Sequence, residues 1–105
     1  MTATSLSEGE RYAIQPIHPA NEPNMRSLNS DIQTSVLFIN KRCTPIHLYW
    51  RDFNGGRTSY GLVQPGGERP MTTYITHAWV VVDEESKEVL GIWNPVERPG
   101  EAIFT

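Results

Sequence analysis

The chain has 105 residues, 38% of them hydrophobic and 20% charged, enough for one core but not for two. Its formal net charge is −3 and Lys41-Arg42 is only a basic pair, so nucleic acid is not the expected partner. No segment reaches the roughly 18 apolar residues that a membrane span needs, and the leading MTATSLSEGE lacks the apolar stretch of a signal peptide. Cys43 is the single cysteine, so no internal disulfide can form and a reducing, cytoplasmic location is expected. Lying beside the apolar run 36–40, Cys43 is expected as a buried or half-buried thiol, with no local base to activate it.

Residues 1–24 are poor in apolar side chains and hold three of the eight prolines, Pro16, Pro19 and Pro23. They are expected to form an extended or disordered arm ahead of a domain over 25–105, although Tyr12, Ile14 and Ile17 could lie along that domain. From Ser27 onward short apolar runs alternate with turn signals. Ser35–Asn40 is the first strand, and Ile46–Phe53 follows, closed by the hairpin signal Asn54-Gly55-Gly56. Thr58–Val63 comes next, then the turn segment 64–70. Thr72–Asp83 is expected as one long strand with a solvated acidic turn, Asp83-Glu84-Glu85, at its end. Glu88–Trp93 and Ala102–Phe104 complete the set. No window shows a helical stripe. The expected fold is all-β, an antiparallel β-sandwich of about seven short strands.

Catalysis has little support. His18, His47 and His77 show no metal-ligand spacing, one cysteine excludes a thiolate cluster, and Gly66-Gly67 leads into a strand rather than a phosphate-binding helix. No enzyme activity, metal or cofactor is expected. The segment Met71-Thr72-Thr73-Tyr74-Ile75-Thr76-His77-Ala78-Trp79 is more informative. On a regular strand Thr73, Ile75, His77 and Trp79 share a face, and a buried hydroxyl or imidazole left unpaired costs about 1–3 kcal/mol. With Trp50 and Tyr60 on neighbouring strands, a shallow pocket with aromatic walls and two polar groups at its floor accounts for the mixture. Such a pocket suits a small ring carrying one hydroxyl.

From about Met25 to Phe104 the chain resembles the β domain of the von Hippel–Lindau tumour suppressor family. The resemblance rests on Arg26-Ser27-Leu28-Asn29-Ser30, Val36-Leu37-Phe38-Ile39-Asn40, Trp50-Arg51-Asp52-Phe53-Asn54-Gly55, Tyr60, Pro65-Gly66 and Tyr74-x-x-His77-Ala78-Trp79. It implies a module that binds 4-hydroxyproline in an extended peptide, and hence a prolyl-hydroxylated protein or peptide as partner. Trp50, Tyr60 and Trp79 match the aromatics that line the imino-acid ring, and Tyr60 would also bond a peptide carbonyl. Thr73, where the family has serine, and His77 match the pair that grips the hydroxyl. Asn29 and Tyr74 match neighbouring groove positions, whereas Thr72 replaces a histidine and Asp31 replaces an arginine. The latter would disfavour an acidic neighbour in the peptide. The chain stops at Thr105 without the family's helical α domain, so elongin C is not an expected partner and a monomer is expected.

Thr73 and His77 stand four residues apart, about 13 Å on a straight strand. Sharing one oxygen therefore requires a bulge or strong twist between them. Two other readings compete. One is a structural or interaction sandwich without hydroxyproline recognition, in which Trp50 and Trp79 are fully buried and no pocket opens between them. The other is an accessory domain carrying a flatter, more exposed aromatic platform for carbohydrate or peptide.

Overall fold

A computed structural model describes residues 11–24, 26–28 and 32–105. Its strands are β1 (Tyr12–Ala13), β2 (Gln33–Asn40), β3 (Ile46–Arg51), β4 (Arg57–Val63), β5 (Glu68–Tyr74), β6 (Ala78–Asp83), β7 (Val89–Trp93) and β8 (Gly100–Phe104). They form two four-stranded sheets, ordered β1-β8-β2-β5 and β4-β3-β6-β7. The fold is all-β and mostly antiparallel, but β8 runs parallel to both β1 and β2. Those two pairings join residues far apart in the chain, so no local turn signal announces them.

The core between the sheets follows strand alternation. Val36 and Phe38 of β2, Ile46 and Leu48 of β3, Trp79 and Val81 of β6, and Ala102 and Phe104 of β8 all turn inward. Phe38, Ile46, Leu48 and Val81 are completely enclosed, each contributing about 1.5–3 kcal/mol relative to exposure. Strand β6 is buried at every position, because Ala78, Val80 and Val82 on its opposite face belong to a second cluster with Ile92.

The arm supplies the cover for that second cluster. Tyr12–Ala13 pairs with β8, Ile14 enters the main core, and Ile17 bridges Ile92 on β7. A 3-10 helix over Pro19–Asn24 follows, and Glu22 accepts hydrogen bonds from Arg57 (2.6 Å to each oxygen) and Arg51 (3.2 Å). The path is extended, as its prolines suggest, but over residues 12–24 it straps the outside of the domain. Its bond to Arg57, then its attraction to both guanidiniums, holds the Glu22 carboxyl below its ordinary pKa, against partial desolvation.

Three expectations need correction. Thr72–Asp83 is two strands, not one: β5 ends at Tyr74, and β6 begins at Ala78 in the other sheet. The break is a turn at Ile75-Thr76, closed by the His77 N–H donating to the Tyr74 carbonyl at 3.0 Å. Cys43 is exposed, because the chain leaves β2 at Asn40 and the buried Asn40 side chain organises the turn. Asn40 Nδ2 donates to the Thr44 and Val63 carbonyls, both at 2.9 Å, while its Oδ1 accepts from the Arg42 N–H. The acidic turn is solvated only in part, since Asp83 is buried. Its carboxylate accepts from Thr44 Oγ1, the Arg42 guanidinium, and the Glu85 and Ser86 N–H groups. These donors, led by the Thr44 hydroxyl, push its pKa well below the usual carboxylate range.

Candidate functional site

At the end of the sandwich opposite Asp83, the strand register gathers the aromatic side chains. Trp50 on β3 lies directly opposite Trp79 on β6, so the two indoles leave the same face of one sheet. Tyr60 reaches that face through an irregularity in β4. The β3–β4 register slips between His47 and Tyr49, so Tyr60 and Gly61 together oppose the single residue Leu48. Gly61 takes a φ of +92°, the left-handed conformation that such a bulge favours glycine for. The extra residue lets both Tyr60 and Val63 face inward, where strict alternation would have chosen Tyr60 and Leu62. Val63 is indeed buried, and Leu62 is exposed.

The Tyr60 ring stands edge-on to Trp79, with centroids 5.1 Å apart and planes at 73°. Trp79 also packs on Phe38 at 5.5 Å. Thr73 comes from the other sheet, and its Oγ1 accepts a 3.0 Å hydrogen bond from Trp79 Nε1. That bond crosses the sandwich and fixes the indole. His77 arrives through the turn after β5, and its ring centroid lies 5.0 Å from Trp50 and 5.0 Å from Tyr74. The five side chains expected to line a pocket are therefore neighbours, linked as Tyr60–Trp79–Thr73 and Trp79–Trp50–His77. They graduate in exposure, from Thr73 at 1%, Trp79 at 3% and His77 at 8% to Tyr60 at 42%. Trp50 is half-buried, and its Nε1 is a buried donor that finds no acceptor among the described residues. A polar floor beneath an aromatic rim is the resulting arrangement.

Thr73 and His77 are separated by a β-turn rather than a bulge, and they are linked through Trp79 and Trp50. A β-turn redirects the chain from one sheet to the other, so alternation along a single strand never links them. Tyr74 contacts the His77 ring, whereas Thr72 is exposed on the outer face of β5, opposite Ser35. Asn29 and Asp31, expected along the peptide groove, fall outside the described residues.

Three further residues shape this end without having been singled out as site residues. Phe53 projects from the β3–β4 hairpin and meets Trp50 at 5.3 Å and His77 at 5.5 Å, edge-on to both. The hairpin is organised by Asp52 Oδ1, which accepts from the Asn54 and Gly56 N–H groups, with Gly55 at a φ of +84°. An exposed aromatic inside a glycine-rich turn was the available signal. Ser27, wholly buried, donates through Oγ to the Arg51 carbonyl and accepts from the Ala78 N–H. It ties the end of β3 to the start of β6, beside both indoles. Arg69 of β5 spans the open edge between the sheets, donating to the Tyr60 and Leu62 carbonyls at 2.9 Å each.

Among the described residues no group of three His, Cys, Asp or Glu side chains gathers to hold a metal ion. No described helix is long and apolar enough to cross a membrane.

The two sheets form an all-β sandwich with aromatic side chains gathered at one end around the buried Thr73. The chain belongs to the VHL beta domain family, whose sequence profile matches residues 25–97. That family is a substrate-recognition module rather than an enzyme family, which assigns the domain protein partners. The chain matches no curated protein sequence. The matched span ends before β8, although β8 sits between β1 and β2 in its sheet.

Proposed function

We propose that the domain reads 4-hydroxyproline in an extended peptide of a prolyl-hydroxylated protein. The observation that carries this reading is the convergence of Thr73, His77, Trp50, Tyr60 and Trp79 from four strands and one turn. Trp79 Nε1 already donates to Thr73 Oγ1, and the Thr73 hydroxyl keeps its own proton to donate. A prolyl hydroxyl oxygen entering between the rings would be the acceptor, with the His77 imidazole as its second partner. An unmodified proline has the same ring but brings no oxygen to accept from the Thr73 hydroxyl or to meet the His77 imidazole. Losing such bonds costs about 2–5 kcal/mol, a preference of roughly 30- to 5,000-fold. The partner's backbone would lie extended across the cluster, with Tyr60 exposed enough to bond a peptide carbonyl.

The test is titration with matched peptides, with and without the hydroxyl, followed by tryptophan fluorescence. The reading requires a strong preference for the hydroxylated member and its loss in Thr73→Ala and His77→Ala. Equal affinity, or undiminished binding by both variants, removes it.

A second reading draws on the burial of Thr73 and Trp79. If their mutual hydrogen bond serves only to lock the two sheets, the same end of the domain binds protein through Tyr60 and Phe53, both exposed. In that case neither peptide is preferred, and Tyr60→Ala or Phe53→Ala weakens partner binding while Thr73→Ala acts through stability alone.

A further inference from the structure

Strand β4 carries one wall of the candidate pocket but is weakly held by packing. Six of its seven residues are exposed or half-exposed, only Val63 is buried, and it is an edge strand broken by a bulge at Tyr60-Gly61. Polar ties compensate, and two of them lie on the outer face, away from the pocket. His47 Nε2 sits 2.6 Å from Ser59 Oγ, and that same Oγ accepts the Gly61 N–H at 3.3 Å. The Ser59 hydroxyl thus spans the bulge, bonding strand β3 on one side and the residue after Tyr60 on the other. His47 is itself fixed by stacking on Tyr49 at 4.2 Å and by contacts of its Nδ1 with Glu84 Oε1 and Tyr49 Oη, both at 3.2 Å. Lys87 completes the group by pairing with Glu84 at 3.1 Å.

We infer that Ser59 and His47 are positioning residues: from the outer face of the sheet they set the bulge that presents Tyr60 to Trp79. Neither belongs to the aromatic cluster of Trp50, Tyr60, His77 and Trp79. Ser59 acts from the position beside Tyr60 and His47 from the neighbouring strand, and Arg69 holds the same bulge from the open edge through the Tyr60 and Leu62 carbonyls. The sequence Arg57-Thr58-Ser59-Tyr60-Gly61 reads accordingly. The glycine permits the left-handed residue, the serine locks it, and the tyrosine between them is aimed by both.

This inference rests on the hydroxyproline reading only for its effect on binding, so its test has a ligand-free part. In the unliganded domain, the NMR signals of the Tyr60 ring and the Trp79 indole are compared between wild type, Ser59→Ala and His47→Ala. Both variants should move these signals, which lie on the opposite face of the sheet from either substitution. Ser59→Thr and His47→Gln, which keep the hydrogen bond, should restore them. Signals unmoved in Ser59→Ala and His47→Ala overturn the inference whether or not any peptide binds. With a hydroxyprolyl peptide, Ser59→Ala should bind about 5-fold more weakly, and the loss should vanish in a Tyr60→Leu background. A loss that persists undiminished there also overturns it. If wild type binds neither peptide, the hydroxyproline reading fails while the NMR comparison still decides this one.

Discussion

Strand β6 joins two polar clusters that have been finished differently. At its C-terminal end the Asp83 carboxylate is surrounded by a hydroxyl, a guanidinium and two backbone donors, and nearby Asn40 uses both ends of its amide. At its N-terminal end Trp79, Trp50, Thr73 and His77 cluster among aromatic rings, and Trp50 Nε1 is buried with no acceptor among the described residues. Polar groups are normally satisfied when buried, so an orphaned donor calls for an explanation. One end is a closed knot that turns the chain, and the other has hydrogen-bonding capacity left over. Substitutions should separate the two ends.

Trp79→Ala should have the largest effect. It removes the ring packed on Phe38 and Tyr60 and the partner of Thr73, costing about 3–5 kcal/mol, a large share of a small domain's stability. Urea unfolding should show a midpoint collapse, with little folded protein left. Thr73→Val is the finer cut. It keeps the shape but leaves the Trp79 N–H without its acceptor, so the same measurement should show a loss of about 1–3 kcal/mol.

Asp83→Asn tests the closed end through pH. The Asp83 carboxyl titrates below its ordinary value in the folded chain. Its contribution is therefore complete above the unfolded value of about 3.9 and drains away as pH falls toward the lower folded value. Wild type should lose stability progressively below about pH 4. Asp83→Asn should start less stable at neutral pH and fall less steeply in acid, as read by thermal melts across pH 2–7. Glu22→Gln should have the smallest effect, about 1 kcal/mol or less, since Arg57 is part-exposed and solvent screens the pair. It should loosen the arm, seen as faster amide exchange over residues 17–24, without altering the aromatic end.

The sequence disclosed these regions unequally. Strands β2, β3, β4 and β7 could be read because apolar alternation and Gly or Pro turns are local signals. The gathering of Trp50, Tyr60, Thr73, His77 and Trp79 was also anticipated, through motif resemblance and the mixed character of one segment. The route was not. Ile75-Thr76 carries no turn signature, being β-branched, and the chain changes sheets there because Tyr74 and Ala78 find partners in different sheets. Cys43 was misjudged because adjacency to an apolar run says nothing about which residue the turn exposes. The strap of residues 12–24 follows from β6 being apolar on both faces, which was visible in Ala78-Trp79-Val80-Val81-Val82 once a second cover is demanded. Parallel pairing of β8 depends on contacts between distant segments and has no local signature.

On the proposed reading, the Thr73 hydroxyl and a prolyl hydroxyl recognise each other. Calorimetric titration of wild type and Thr73→Ala with hydroxylated and unhydroxylated versions of one peptide measures that coupling directly. The account predicts at least about 30-fold preference in wild type, with Thr73→Ala binding the hydroxylated peptide little better than the other. An identical preference in both proteins would contradict it.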